Sequence, residues 1–158
     1  MEPSPSKGAE STRAELDAVR VRRAELRETL NLMEAALAAP ARGRAVVWGE
    51  VVHASLVMIA DDFGAHVEVT EGPGGLHQSI LAGDLRLANA VDALTAEHEQ
   101  IASEIAGLVA DSEAPVGVED VDDLREQGTR LLGHLIRHRQ RGADLIYEAY
   151  ETDIGGGD

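Results

Sequence analysis

Three of the six histidines in this chain, His66, His98 and His138, fall on the apolar stripes of three different predicted helices. A buried polar group without a partner costs roughly 1 to 3 kcal/mol, so such rings are expected to contact one another, a water or a metal ion. Helical bundles hold metal ions through histidines and carboxylates that project inward from facing helices. The placement therefore predicts a metal site inside a helical bundle.

Chance and ordinary packing offer an alternative. Five histidines lie in predicted helices, and about 1.4 of them would fall on two of every seven positions at random. Three is a modest excess, and a single histidine on an apolar face is more often a hydrogen-bonded core residue than a ligand. A metal-free core, with the rings bonded to each other or to Glu and Tyr, stays open beside the metal site.

Depth along the predicted bundle ranks the three candidates. At 1.5 Å per residue, counted from the predicted helix ends, His98 lies roughly 21 Å and His138 roughly 18 Å along, but His66 only about 8 Å. We therefore expect His98 and His138 to share a site. His66 joins them only if the helix ends differ by about two turns, or if residues 76–82 extend the third helix.

Further candidate ligands come from spacing. Glu71 follows His66 by five residues, which puts both on one face only if the helix loosens at its end. His134 precedes His138 by four residues, a spacing that can chelate a metal. His53, at roughly 27 Å on the same scale, is the last candidate. The helices carry other acids that a mixed His and carboxylate site would use: Glu97, Glu104, Asp144 and Glu148.

Hydrophobic periodicity predicts four amphipathic helices. They cover residues 11–39, residues 42–70, a stretch that starts near Asp84 after a short apolar piece at 76–82, and residues 120–151. The stripe of the first helix is interrupted only by Arg23. Four such helices with short connections predict a single all-α domain, an antiparallel up-down-up-down four-helix bundle.

The length of 158 residues fits one domain. We expect residues 1–10 to be a disordered N-terminal segment, residues 11–151 to form the bundle and residues 152–158 to be a flexible tail. No apolar run approaches the roughly 18 residues of a membrane span, and the N-terminus lacks the apolar core of a signal peptide. These features predict a soluble, cytoplasmic protein.

Composition excludes several functions. The chain has no cysteine, so disulfides, thiolate metal sites and cysteine nucleophiles are excluded. With 29 acidic and 14 basic residues the net charge is -15, which repels nucleic acids and anionic membranes. No Walker lysine, HExxH motif or strained serine turn is present, so the sequence gives no positive sign of enzyme activity.

Several short stretches resemble the hemerythrin-like HHE cation-binding domains. They are HVEVTE at residues 66–71, the pair Glu97-His98, LIRH ending at His138 and residues 138–150; the likeness covers roughly residues 42–156. The resemblance implies a four-helix bundle around a non-heme di-iron centre that binds or senses oxygen, nitric oxide or peroxide. The chain departs from the family at Thr70, where a carboxylate is usual, at Ala102, where a histidine is usual, and in lacking an early helix histidine.

The favoured hypothesis is a hemerythrin-like non-heme iron protein, mononuclear or dinuclear, for oxygen, nitric oxide or redox sensing or storage. Its ligand would be a small molecule such as O2 or NO. The alternative is a metal-free helical scaffold or interaction protein, and a two-histidine structural zinc site is a third hypothesis. A homodimer contact through the stripe of the first helix and the region of Trp48 is also open.

Overall fold

The structure, a computed structural model, describes residues 7–151. Its helices are α1 (Lys7–Ala38), α2 (Ala45–Glu71), α3 (Leu76–Gly83), α4 (Ala88–Asp111) and α5 (Val121–Ile146). Short 3-10 turns precede α4 and α5, and a π-helical turn at Tyr147–Glu151 follows α5. No strand occurs between residues 7 and 151, so the predicted all-α class with four long helices is confirmed.

The four long helices form a closed ring of contacts. The first helix packs against α2 and α5, and α4 packs against the same two helices. Their apolar stripes meet in a main cluster, which includes Phe63, Ile101 and Leu135. An end cluster is separate and contains Val19, Leu76, Ile80, Val91, Leu94 and Leu145. The core is therefore divided into two apolar regions along the bundle.

The short helix α3 covers one end of the bundle. A turn at residues 72–75, with Gly74 at φ +72°, ends α2 and leads into α3. Leu76 and Ile80, four residues apart on one face of α3, are then buried in the end cluster. The Asp84 side chain accepts a hydrogen bond from the backbone N–H of Arg86 and closes the connection to α4.

Helix ends differ in places from the predicted ones. The first helix begins at Lys7 rather than at residue 11, so residues 7–10, which we expected to be disordered, are helical. Residues 76–83 form a separate helix rather than an extension of the next one. Residues 1–6 and the predicted tail at 152–158 lie outside the described residues. None of the helices described is long and apolar enough to cross a bilayer.

Two glycines of α2 give a matched test of the packing. A Cβ on buried Gly49 would lie 2.6 Å from the Cβ of Val116, in the loop before α5, whereas a Cβ on Gly64 meets nothing within 4 Å. We expect Gly49→Ala to destabilise the fold by about 1 to 3 kcal/mol through overpacking. We expect Gly64→Ala to stabilise it by about 0.5 to 1 kcal/mol through helix propensity. Urea unfolding measures both, and equal effects would contradict the close approach at Gly49.

Candidate metal centre

The three predicted histidines lie in the layer between the two apolar clusters. On α4, His98 lies between Leu94 of the end cluster and Ile101 of the main cluster. His138 has the corresponding position on α5, and His66 lies near the C-terminal end of α2. All three are buried, with exposed fractions of 8% for His66, 2% for His98 and 4% for His138. The heptad pattern of each helix thus carries one imidazole into the core.

The rings of these residues contact one another. Ring centroids are 4.7 Å apart for His98 and His138, 5.3 Å for His66 and His98, and 5.6 Å for His66 and His138. Each residue offers a ring nitrogen that lies within 4.8 Å of the other two. We refer to His66, His98 and His138 as the histidine triad.

The depth estimate for His66 was wrong. It assumed that the end of α2 and the start of the next long helix are level. The helix α4 begins at Ala88, so His98 lies only ten residues, roughly 15 Å, along it. The helix α3 lies between them in the chain, so the end of α2 and the start of α4 need not be at the same level along the bundle. His66 therefore reaches the other two rings.

Two carboxylates form hydrogen bonds with rings of the triad. His98 Nδ1 lies 2.9 Å from Glu71 Oε2, and His138 Nδ1 lies 3.0 Å from Glu97 Oε1. A protonated Nδ1 that donates to a carboxylate leaves the Nε2 lone pair of the same ring free, which is the usual arrangement around metal-binding histidines. Glu71, predicted as a ligand, is instead the hydrogen-bonding partner of His98, because it lies one residue beyond the α2 position that shares a face with His66.

Glu97 is itself fixed by a second cation. Arg141 Nε lies 2.7 Å from Glu97 Oε2, and Arg141 Nη2 lies 2.9 Å from Oε1. Burial raises the pKa of the Glu97 carboxyl, but the hydrogen bonds from Arg141 and His138 outweigh it, so this pKa is lowered overall. Glu97 therefore stays ionised and orients the His138 ring.

His66 has no corresponding carboxylate. Its Nδ1 is buried and has no hydrogen-bond partner within the described part of the chain. Burial, followed by the nearby His98 and His138, lowers the pKa of His66 to about 3. Burial also lowers the pKa of His138, although the hydrogen bond to Glu97 opposes this. His66 and His138 are thus neutral near pH 7, which is the form that binds metals.

The surroundings of the triad are apolar on one side. Phe63, the only phenylalanine in the chain, lies with its ring centroid 5.8 to 6.1 Å from those of all three histidines.

Thr70 stands at the position where hemerythrin-like domains usually have a carboxylate. Its hydroxyl donates a hydrogen bond to the backbone carbonyl of His66 at 2.9 Å. Thr70 is therefore committed to its own helix and offers the triad no ligand.

A fourth buried histidine, His77, was missed at the sequence level. It lies on α3, is 6% exposed, and stacks on His98 with ring centroids 5.8 Å apart and planes 2° from parallel. Burial, followed by the nearby His98, lowers the pKa of His77 to about 4. The only available signal was its place in the short apolar piece at residues 76–82, which is too short to show a helical period.

The two remaining predicted ligands lie elsewhere. His134 is one helical turn from His138, but its Nδ1 contacts Glu104 Oε2 at 2.7 Å and its side chain is 38% exposed. His53 lies on α2 at the level of the α4 C-terminus, with Nδ1 2.9 Å from Ser112 Oγ. Neither residue joins the triad. Both rings instead form local hydrogen bonds between neighbouring elements.

A cavity of about 40 Å³ borders the triad. Its walls come from all five helices and include His66, His98 and His138 together with apolar side chains of α1 and α5. One water needs roughly 10 to 15 Å³ by the same measure, so the cavity holds about three water-sized positions. Three buried imidazoles beside such a space can hold one metal ion and leave room for a small ligand.

Comparison of this chain with protein-family models, with curated proteins and with solved structures finds no match. The resemblance to hemerythrin-like domains therefore depends on the short stretches quoted above.

The buried, neutral state of His66 predicts a pH-dependent stability. Its pKa is about 3 in the folded protein and 6.5 in a model peptide, so as the pH falls the unfolded chain binds this proton first. Stability is thus lost progressively below about pH 6.5. By linkage, His66 alone lowers the free energy of unfolding by about 2 kcal/mol between about pH 6.5 and pH 5. His66→Leu should remove that part of the decline in urea titrations of metal-free protein.

The comparison variant for this test is His134→Leu, which removes a partly exposed ring outside the triad. We expect the free energy of unfolding to depend less steeply on pH in His66→Leu than in His134→Leu. Parallel curves for the parent protein and His66→Leu would contradict a buried neutral imidazole at this position.

Proposed function

We propose that this protein binds one divalent transition-metal ion through His66, His98 and His138. The observation that carries the proposal is the convergence of one ring nitrogen from each of three buried histidines within 4.8 Å, and two of the rings are oriented by carboxylates at Nδ1. Imidazole suits zinc, copper, iron and nickel ions. Three protein ligands with an open position are typical of sites that bind a further small molecule rather than purely structural ones.

The finer proposal is a hemerythrin-like role. The bundle is antiparallel in this proposal, since short connections join its long helices, and the metal is iron with O2 or NO as the small ligand. Support comes from the triad itself, which uses the histidines of α2, α4 and α5 that carry the sequence resemblance. The nearby cavity accommodates a ligand of that size.

A mononuclear centre fits the ligands better than a dinuclear one. A carboxylate-bridged pair of ions needs acids among the ligands, as in the di-iron bundles. Glu71 and Glu97 accept hydrogen bonds from Nδ1 of His98 and His138, and Thr70 bonds to the backbone. Within residues 7–151 the ligand group comprises the triad alone.

The metal-free scaffold has one observation in its favour. His98 and His138 already have hydrogen-bond partners in Glu71 and Glu97, so two of the three buried rings do not need a metal to offset their burial. The unpartnered Nδ1 of His66 argues against it, because a scaffold gains nothing from a buried polar atom without a partner.

Metal loading tests the proposal. We expect chelator-treated protein to take up one Co²⁺ or Fe²⁺ per chain, with visible Co²⁺ absorption, and a metal at 100 times its dissociation constant to stabilise the fold by about 2.7 kcal/mol. His138→Leu should abolish uptake while retaining helical circular dichroism, and His53→Leu should retain uptake. Equal uptake by the two variants would contradict a triad site. Stoichiometric Co²⁺ but no oxygen- or NO-dependent spectral change with Fe²⁺ would overturn only the hemerythrin-like role.

Glu97 and Glu104 provide a matched test of the outer carboxylates. Each accepts a hydrogen bond from the Nδ1 of an α5 histidine, but only the Glu97 partner belongs to the triad. We expect Glu97→Gln to weaken metal binding by about 10- to 100-fold, because a neutral amide makes His138 a poorer donor. Glu104→Gln should leave the affinity within about twofold of the parent in a competition titration with a chromophoric chelator. If both variants lost similar metal affinity, the effect of Glu97 would come from its negative charge alone and not from its hydrogen bond with His138.

A further inference from the structure

Arg23 interrupts the apolar stripe of α1 and lines the cavity beside the triad. It is partly buried, and its Nη2 donates a hydrogen bond to the backbone carbonyl of Arg139, 3.4 Å away on α5. The guanidinium therefore spans from α1 to α5 at the cavity wall. An arginine in a core stripe is costly to desolvate, so its place there calls for a physical reason.

The cavity wall is cationic and lacks acids. Acidic residues outnumber basic ones by 29 to 14 in the chain, yet the lining includes Arg23, Arg27 and Arg139 and no Asp or Glu. None of the three arginines forms an ion pair with an acid of residues 7–151, whereas Arg22, one position away, pairs with Glu25 at 3.0 Å. Among residues 7–151, no direct ion pair therefore neutralises the positive charge on this wall.

Other positive charges lie near Arg23. Burial, and then the positive charges of Arg139 and Arg20, lower the pKa of the Arg23 guanidinium. Arginine nevertheless stays protonated in proteins, so a permanently charged side chain lines a cavity of about 40 Å³. The exposed Arg27 and Arg139 extend the same wall to the surface, where they can attract an anion from solvent.

We propose that this cavity binds a small monovalent oxyanion, of the size of formate, nitrite or bicarbonate, with the guanidinium of Arg23 as its anchor. The fork of N–H donors on arginine matches two oxygens of such an anion. About three water-sized positions accommodate three or four heavy atoms and exclude nucleotides and sugar phosphates. The site requires the arginines and the cavity, not the metal, so it is independent of the proposed metal centre.

The test uses chelator-treated, ¹⁵N-labelled full-length protein titrated with sodium formate, against sodium chloride at equal ionic strength. We expect saturable shifts of the backbone amides around Arg23, His66 and Gly142, with a dissociation constant on the order of 1 mM or lower. Citrate, which is too large for the cavity, should not reproduce these shifts.

Arg23→Leu restores the apolar stripe of α1 and is therefore expected to fold. It should weaken formate binding by at least about tenfold, and Arg23→Lys should retain part of it, because lysine keeps the charge without the fork. Arg22→Leu, the neighbouring arginine outside the cavity, should bind as the parent does. Absence of saturable binding, equal binding by Arg23→Leu and the parent, or binding only after metal loading would each overturn the proposal.

Discussion

Burial of three imidazoles between two apolar clusters is the constraint on which the rest of this structure depends. Burial removes water from the rings, and this desolvation lowers the pKa values of His66 and His138. Glu71 and Glu97 replace part of the lost water by accepting hydrogen bonds from Nδ1 of His98 and His138, although the bond to Glu97 opposes the lowering of the His138 pKa. One ring nitrogen of each of the three histidines lies within 4.8 Å of the others, so a packing requirement produces a set of converging donors.

The same constraint explains the covered end of the bundle. The triad lies close to the C-terminus of α2, where an open bundle would admit water. Instead, α3 closes this end with Leu76 and Ile80, and His77 stacks on His98 from the same helix. The outer carboxylates lie at the edge of this layer, since the side chain of Glu71 is 30% exposed and that of Glu97 is 18% exposed. Charged groups thus stay near water while the rings do not.

The sequence predicts the helices and the three histidines because both depend on the seven-residue period of apolar side chains. It does not predict the level of His66, which depends on how α3 offsets two helix ends. It pairs Glu71 with His66, whereas Glu71 contacts His98, because a helix terminus allows a side chain to reach a different neighbour from the one that spacing indicates. His77 escapes prediction because eight helical residues are too few to show a stripe. Each of these features depends on contacts between helices, which the sequence pattern of a single helix does not reveal.

Arg23 connects the two proposals through electrostatics. Its positive charge is among the causes that lower the pKa of His66. An acid in the cavity would have the opposite effect, because it would stabilise the protonated rings and compete with them for a metal ion. A cavity wall with arginine and without carboxylates therefore disfavours protonation of His66 and, at the same time, carries a positive charge that suits the anion proposed above. The interruption in the apolar stripe of α1 is thus part of the same arrangement as the histidines that the other three long helices contribute.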